Sequence, residues 1–166
     1  MIETDRLLIK PLMIDDHLFI LELVNTEGWI KFIGNRNITS QAEAMAYIQK
    51  VLNNENIFYW VVQLKGSNEK MGIITFIKRD YLEHHDIGFA FLPRFFKNGY
   101  AYEATVAVLN KILKELVHAH ILATTVPGNI SSIRLLNKIG LVFENEIEVE
   151  KEKVQVYGVS VDKLKV

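Results

Sequence analysis

The chain contains no cysteine, which removes disulfides, thiolate metal ligands and a cysteine nucleophile together. Proline is scarce, with 3 in 166 residues, and each one (Pro11, Pro93, Pro127) stands where an apolar segment stops. No apolar run approaches the roughly 20 residues that span a bilayer; stretches such as Ile73 to Ile77 fall far short. The opening MIETDRLLIKPL carries acidic residues early and lacks the apolar core of a secretory signal. There is also no excess of one charge. Lys+Arg number 19 and Asp+Glu 20, a net charge of -1, which speaks against the basic face that nucleic acid requires. These absences point to a reduced aqueous setting, the cytoplasm by expectation, with neither nucleic acid nor membrane as partner.

Hydrophobic residues make up 49% and charged residues 23% of the chain, the balance of an ordinary globular protein and, at this length, of a single domain over residues 1–166. Arg6 to Leu12 reads as a short strand. Asp15 and Asp16 start a helix carrying Leu18 to Val24, which Asn25 to Gly28 breaks. Trp29, Phe32 and Ile33 form an apolar cluster before the Gly34–Asn37 loop. Ser40 and Glu43 have capping-box spacing for a second helix. From Ile57 the pattern turns to strands: IFYWVVQL, then MGIITFIKR after a Gly66 turn, then the strand opened by Asp86. His120 to Val126 is a further strand, Ile130 to Ile139 a helix closed by Gly140, and Leu141–Val149 with Lys153–Val161 a closing hairpin. The predicted order is β-α-α-β-β-β-α-β-α-β-β: seven strands, an α+β sheet with helices on its faces.

The stretch from Asp86 to Glu115, DIGFAFLPRFFKNGYAYEATVAVLNKILKE, organises the rest. Ile87 to Leu92 is a strand stopped by Pro93. Ala101, Ala104, Val108, Leu109, Ile112, Leu113 and Leu116 recur at helical spacing. Between strand and helix lie Lys97, Asn98, Gly99 and Tyr100. A loop emptying into a helix N-terminus gathers unpaired N–H groups at the positive end of the helix dipole, a setting suited to phosphate. The same residues also make a plain turn. On their own they do not decide between the two.

This order, together with DIGFAFLP, KNGYAYEA, VPGNISSIRLLNKIGLVFE and the opening ETDRLLIKPL, resembles the GNAT superfamily of acyl-CoA-dependent N-acetyltransferases, within it the branch of Rim-type ribosomal-protein N-terminal acetyltransferases. The likeness runs from about Thr4 to Tyr157. It implies a mostly antiparallel GNAT sheet whose central strand splays from its neighbour, so that Ala90, Phe91 and Leu92 pair with the pantetheine arm of coenzyme A. It also implies that Lys97, Asn98, Gly99, Tyr100, Ala101 and Tyr102 cradle the pyrophosphate, and that Asn129 and Ser132 hold the arm near the thiol. Acetyl-CoA and an amine acceptor, a peptide N-terminus or a small molecule, are the expected partners, and relatives that pair leave a homodimer open. The chain departs from the pattern twice. Phe96 and Lys97 stand where the family usually has Gln or Arg followed by glycine, and Leu136 stands where many relatives carry a tyrosine that protonates the leaving thiolate.

Acyl transfer to an amine needs a neutral amine, a donor for the carbonyl oxygen and a route for the thiolate to leave. Asp86 is the first candidate for the base, with a solvated strand-end carboxylate as the bland alternative. Ser132 is the candidate donor to the thiolate, and the backbone N–H near Phe91 the oxyanion donor. Glu103 reads mainly as support for the helix dipole. His84 and His85 lie in a polar turn and read as solvent-facing; with His118 and His120 they lack a recognisable ligand spacing, so no metal is expected. Trp29, Phe32, Phe58, Tyr59 and Trp60 read as core or as pocket wall. Arg36, Lys78, Arg79 and Asp80 flank the acceptor groove in the resemblance; lining it, they suit an acceptor with both acidic and basic groups. The rival function is a coenzyme A-binding regulatory module without turnover.

Overall fold

The computed structural model describes residues 1–115 and 117–166. Leu116, assigned above to the buried stripe of the long helix, lies outside the described residues. Among these residues eight strands form one sheet: β1 (Ile2–Glu3), β2 (Leu7–Pro11), β3 (Ile57–Leu64), β4 (Lys70–Ile77), β5 (Asp86–Phe91), β6 (His120–Thr125), β7 (Val142–Val149) and β8 (Glu152–Ser160). Their spatial order is β1-β2-β3-β4-β5-β6-β8-β7. Every neighbouring pair is antiparallel except β5–β6. The strand absent from the sequence reading is β1, whose two residues are too few to show an alternation.

Among the described residues five α-helices cover the sheet: α1 (His17–Val24), α2 (Glu27–Phe32), α3 (Gln41–Leu52), α4 (Tyr100–Glu115) and α5 (Ile130–Lys138). The segment read as a break followed by a cluster is α2. Thr26 caps it, accepting the Trp29 N–H on its hydroxyl at 3.3 Å, and burial of Trp29 holds the short helix down despite Gly28 inside it. Ser40 caps α3 as its spacing predicts, accepting the Glu43 N–H at 3.1 Å. The return bond from Glu43 reaches one residue further, to the Thr39 N–H at 2.6 Å.

Alternation along the central strands divides the core. Val61 and Ile73 pack with Phe19, Ile20, Leu23, Trp29 and Ile48 of α1 to α3 on one face. Val62, Ile74 and Phe76 pack with Ala104, Val108, Leu109 and Ile112 of α4 on the other. β4 is therefore covered on both faces, which is why its sequence is apolar throughout rather than alternating.

The histidines are not free loop side chains. His85 stacks on Phe76 at 4.7 Å between ring centres and His118 meets both rings edge-on. The turn folds back over Phe76, and that is what encloses them. His120 binds Glu144 at 2.6 Å. Burial pushes the His85 and His118 imidazoles below the ordinary 6.5, helped by the charges of neighbouring histidines and, for His85, of Lys78. Below about pH 6.5 the unfolded chain binds protons that the folded chain resists, so acid removes stability here. The melting temperature is expected to fall as pH drops through 6.5. A His85→Phe/His118→Phe double variant should flatten that slope in thermal denaturation from pH 5 to pH 8; an unchanged slope would place the acid sensitivity elsewhere.

Candidate active site

β5 and β6 pair in parallel at a single register position, Asp86 with Leu122. Beyond it the strands diverge, and the gap opens into a groove of about 850 Å³, a volume usual for a small-ligand site. Along β5 the peptide groups alternate in direction. The Leu92 N–H points to β4 and donates to the Met71 carbonyl at 2.8 Å, and Ala90 stands opposite Ile73 on the same ladder. The peptide groups of Phe89 and Phe91 therefore point the other way, toward the gap, beyond the last β6 pairing.

At the head of the groove Lys97 and Gly99 both have positive φ, +64° and +78°. Glycine takes this conformation freely, whereas for lysine it costs on the order of 1–2 kcal/mol. The loop then enters α4, so that its unpaired N–H groups and the helix dipole face one place. Ala90, Phe91, Lys97, Gly99, Tyr100, Ala101, Tyr102, Asn129, Ser132 and Asp86 all line the groove, whereas Leu92 and Asn98 do not. The Asn98 side chain instead donates to the Phe96 carbonyl at 2.9 Å, shaping the turn. On the β6 side Asn129 caps α5, its Oδ1 accepting the Ser132 N–H at 3.3 Å. Leu136, 1% exposed, is an apolar part of the wall without a proton to give. A chain of free peptide groups on β5 leading to an anion cradle fits a coenzyme A arm and its pyrophosphate.

The loop is pinned by residues far away in sequence. Arg6 donates through Nε to Glu103 Oε2 at 2.7 Å and through Nη1 to the Asn98 carbonyl at 2.9 Å. The Arg6 guanidinium also lies over the Tyr100 ring at 4.5 Å. Thr4 donates to Glu103 Oε1 at 2.5 Å. Glu103 is thus the anchor joining β2 to α4, and these bonds hold its carboxyl below the ordinary carboxylate value. On the other flank the Lys138 ammonium lies 3.8 Å from the Tyr102 ring centre. Sequence reading quoted Thr4 and Arg6 without a role for them, because a contact across 97 residues leaves no local pattern.

Asp86 is 2% exposed. Its Oδ2 accepts Arg79 Nε at 2.7 Å and Thr124 Oγ1 at 3.1 Å, and its Oδ1 has no partner among the described residues. This is not a solvated strand-end carboxylate. Burial pushes its pKa up, against the opposing pull of Arg79 and Thr124. Arg36 and Arg79 line the groove, whereas Lys78 and Asp80 do not; the Lys78 ammonium is taken up by the carbonyls of Arg79 and Leu82. Glu83, His84, His85, His118 and His120 also lie off the groove.

An acetyltransferase (GNAT) domain family model matches residues 6–142. An uncharacterized N-acetyltransferase of Bacillus subtilis, YnaD, is 31% identical over 140 residues, spanning 84% of this chain and 81% of that protein. A GNAT-family acetyltransferase from Bacillus anthracis superposes with a TM-score of 0.79 at 28% identity, covering 96% of this chain and 97% of the other. The spermidine N-acetyltransferase of Vibrio cholerae, in complex with CoA and spermine, superposes with a TM-score of 0.82 over 96% of this chain and 98% of the other. At 17% identity that likeness shows the fold alone.

Arg6→Ala is expected to release both the Glu103 carboxylate and the Asn98 carbonyl. It should cost about 1 kcal/mol of stability, the modest scale of a half-exposed charged network. Amide hydrogen exchange at Asn98 to Tyr102 should accelerate more than exchange in β3 or β4. Uniform acceleration would mean that Arg6 acts on the whole fold and not on the loop.

Proposed function

The chain belongs to the GNAT acetyltransferase family, and from that premise we propose that it transfers the acetyl group of acetyl-CoA to a primary amine by direct attack in a ternary complex. The observation that carries this reading is the single-position pairing of β5 with β6, which opens the strands into a groove ending at the α4 N-terminus. Acetyl-CoA supplies a thioester: the amine lone pair forms the C–N bond as the C–S bond breaks, the amine gives up one proton and the departing thiolate takes one.

The residues divide this work. The loop from Lys97 to Tyr102 binds the pyrophosphate through N–H groups, with the Lys97 cation adding charge. Phe89 and Phe91 offer peptide groups to the arm, and the Phe91 N–H serves the carbonyl oxygen as charge develops there. Asn129 keeps its amide nitrogen for the arm, since its oxygen is spent on the α5 cap. Ser132 lines the groove with its hydroxyl available to the thiolate. Asp86 receives the amine proton. Its raised pKa brings it nearer the range of its task, and its seclusion calls for transfer through a bridging water. Holding amine and thioester together provides much of the acceleration without a covalent enzyme intermediate.

Leu136 and the sealed Asp86 also favour a second reading, a coenzyme A-binding module without turnover. Thiol release from acetyl-CoA across a panel of amines and N-terminal peptides separates the two. Coenzyme A binding by thermal shift with no release above hydrolysis would leave only the module. Gly99→Pro should abolish binding, because proline cannot adopt the φ of +78°. Asp86→Asn should lower kcat about 100-fold while coenzyme A still shifts the melting temperature. An undiminished kcat would remove Asp86 from the mechanism.

A further inference from the structure

Past Asp86 the groove continues into an arm between two walls of different charge. On the β3–β4–β5 side stand Trp29, Arg36, Tyr59 and Arg79; on the far side of the β5–β6 gap stand Glu150, from the turn joining β7 to β8, and Glu152, the first residue of β8. The first wall is rich in unused donors. Arg79 engages Asp86 through Nε alone, so its two terminal nitrogens have no partner among the described residues. Arg36 is exposed and has no carboxylate partner among the described residues. Trp29, 4% exposed, contributes apolar surface to this wall, its Nε1 being out of reach of solvent. Arg36, Tyr59 and Arg79 line the same groove.

Extending the acetyltransferase reading, on which it rests, we propose that the acceptor is a free α-amino acid, its carboxylate held by Arg36 and Arg79 and its amine presented beside Asp86. Three acceptor chemistries compete for such an arm. A polyamine has no acceptor atoms for the donors and brings its cations against two guanidiniums. A peptide N-terminus offers one neutral carbonyl oxygen near its amine, too few lone pairs for two guanidiniums. A carboxylate has two oxygens and about four lone-pair directions, and it pairs with guanidinium in the strong, planar manner. The ammonium that accompanies it enters a gap whose far wall carries the Glu150 and Glu152 carboxylates, a favourable field on its way to Asp86. A zwitterion matches both walls; the other two each leave one wall unmatched.

The test measures thiol release at saturating acetyl-CoA with free L-amino acids, with their α-amides and N-terminal dipeptides, and with spermidine, the acetylated nitrogen being located by mass spectrometry. Free amino acids are expected to be turned over with kcat/KM roughly tenfold or more above their α-amides, the size of one charged hydrogen-bonded contact. Arg36→Gln should erase most of that preference, mainly through KM for the amino acid. A coenzyme A thermal shift checks that this variant is folded. Equal or better turnover of amides, dipeptides or spermidine would overturn the inference alone, as would an Arg36→Gln variant that keeps the full preference. Binding of coenzyme A with no release for any amine would overturn the acetyltransferase reading and this inference together.

Discussion

Everything about the groove depends on how little β5 and β6 share. Parallel strands pair edge to edge when nothing intervenes, and here they meet at one position, Asp86 opposite Leu122. β5 is held straight by β4 along its whole length, while β6 is committed to β8 over six positions. Each strand of the divergent pair is thus secured by its outer neighbour, which lets the inner edges part without loss of the sheet. The cost is a set of unpaired peptide groups on β5. Such groups are expensive when buried dry, and a ligand that replaces the missing strand relieves that cost. The defect in the sheet and the capacity to bind are one feature.

The same economy governs the head of the groove. A helix N-terminus presents unsatisfied donors in any protein, so its usefulness depends on where the preceding loop is held. Arg6, Thr4 and Glu103 supply that hold from the opposite end of the chain. With the Arg6–Asn98 contact in place, the loop keeps the positive φ of Lys97 and Gly99, a shape the isolated segment would adopt only at some cost. Lys97 takes a backbone conformation that favours glycine, and tertiary contacts cover the difference.

How legible this was in the sequence varied with the range of the interaction. Most of the strand and helix order, the α3 cap at Ser40 and the loop before α4 are written in residues within a few positions of each other, and local chemistry sufficed. α2 was missed because Gly28 masked a six-residue helix whose stability comes from Trp29 burial. β1 was missed because two residues carry no period. The histidines were misjudged because stacking of His85 and His118 on Phe76 joins three segments distant in sequence. The anchoring of Glu103 and the enclosure of Asp86 by Arg79 and Thr124 were illegible for the same reason. Glu103 as helix support and Asp86 as the candidate base are readable from position; the partners that brace the one and enclose the other come only with the fold.

The two ends of the groove are built from different materials, and that difference bears on how such a site diversifies. On the proposed function, the contacts at the cofactor end come from peptide groups and a helix dipole, which side-chain substitution leaves in place, so the departures at Phe96 and Lys97 leave those groups available. At the proposed acceptor end the wall is made of side chains: Arg36 on a loop, Arg79 after β4, Trp29 on a short helix, Glu150 on the β7–β8 turn and Glu152 at the start of β8. Apart from Arg79, which bonds to Asp86, none of these bonds to the residue at which β5 and β6 pair. Substitution of the others alters what enters the groove and leaves the bonds at that position in place. Asp86 is the exception, because it stands at the one position where the two strands pair. A charge buried at that junction must keep Arg79 and Thr124 beside it, and this ties the geometry of the acceptor wall to the base of the opening.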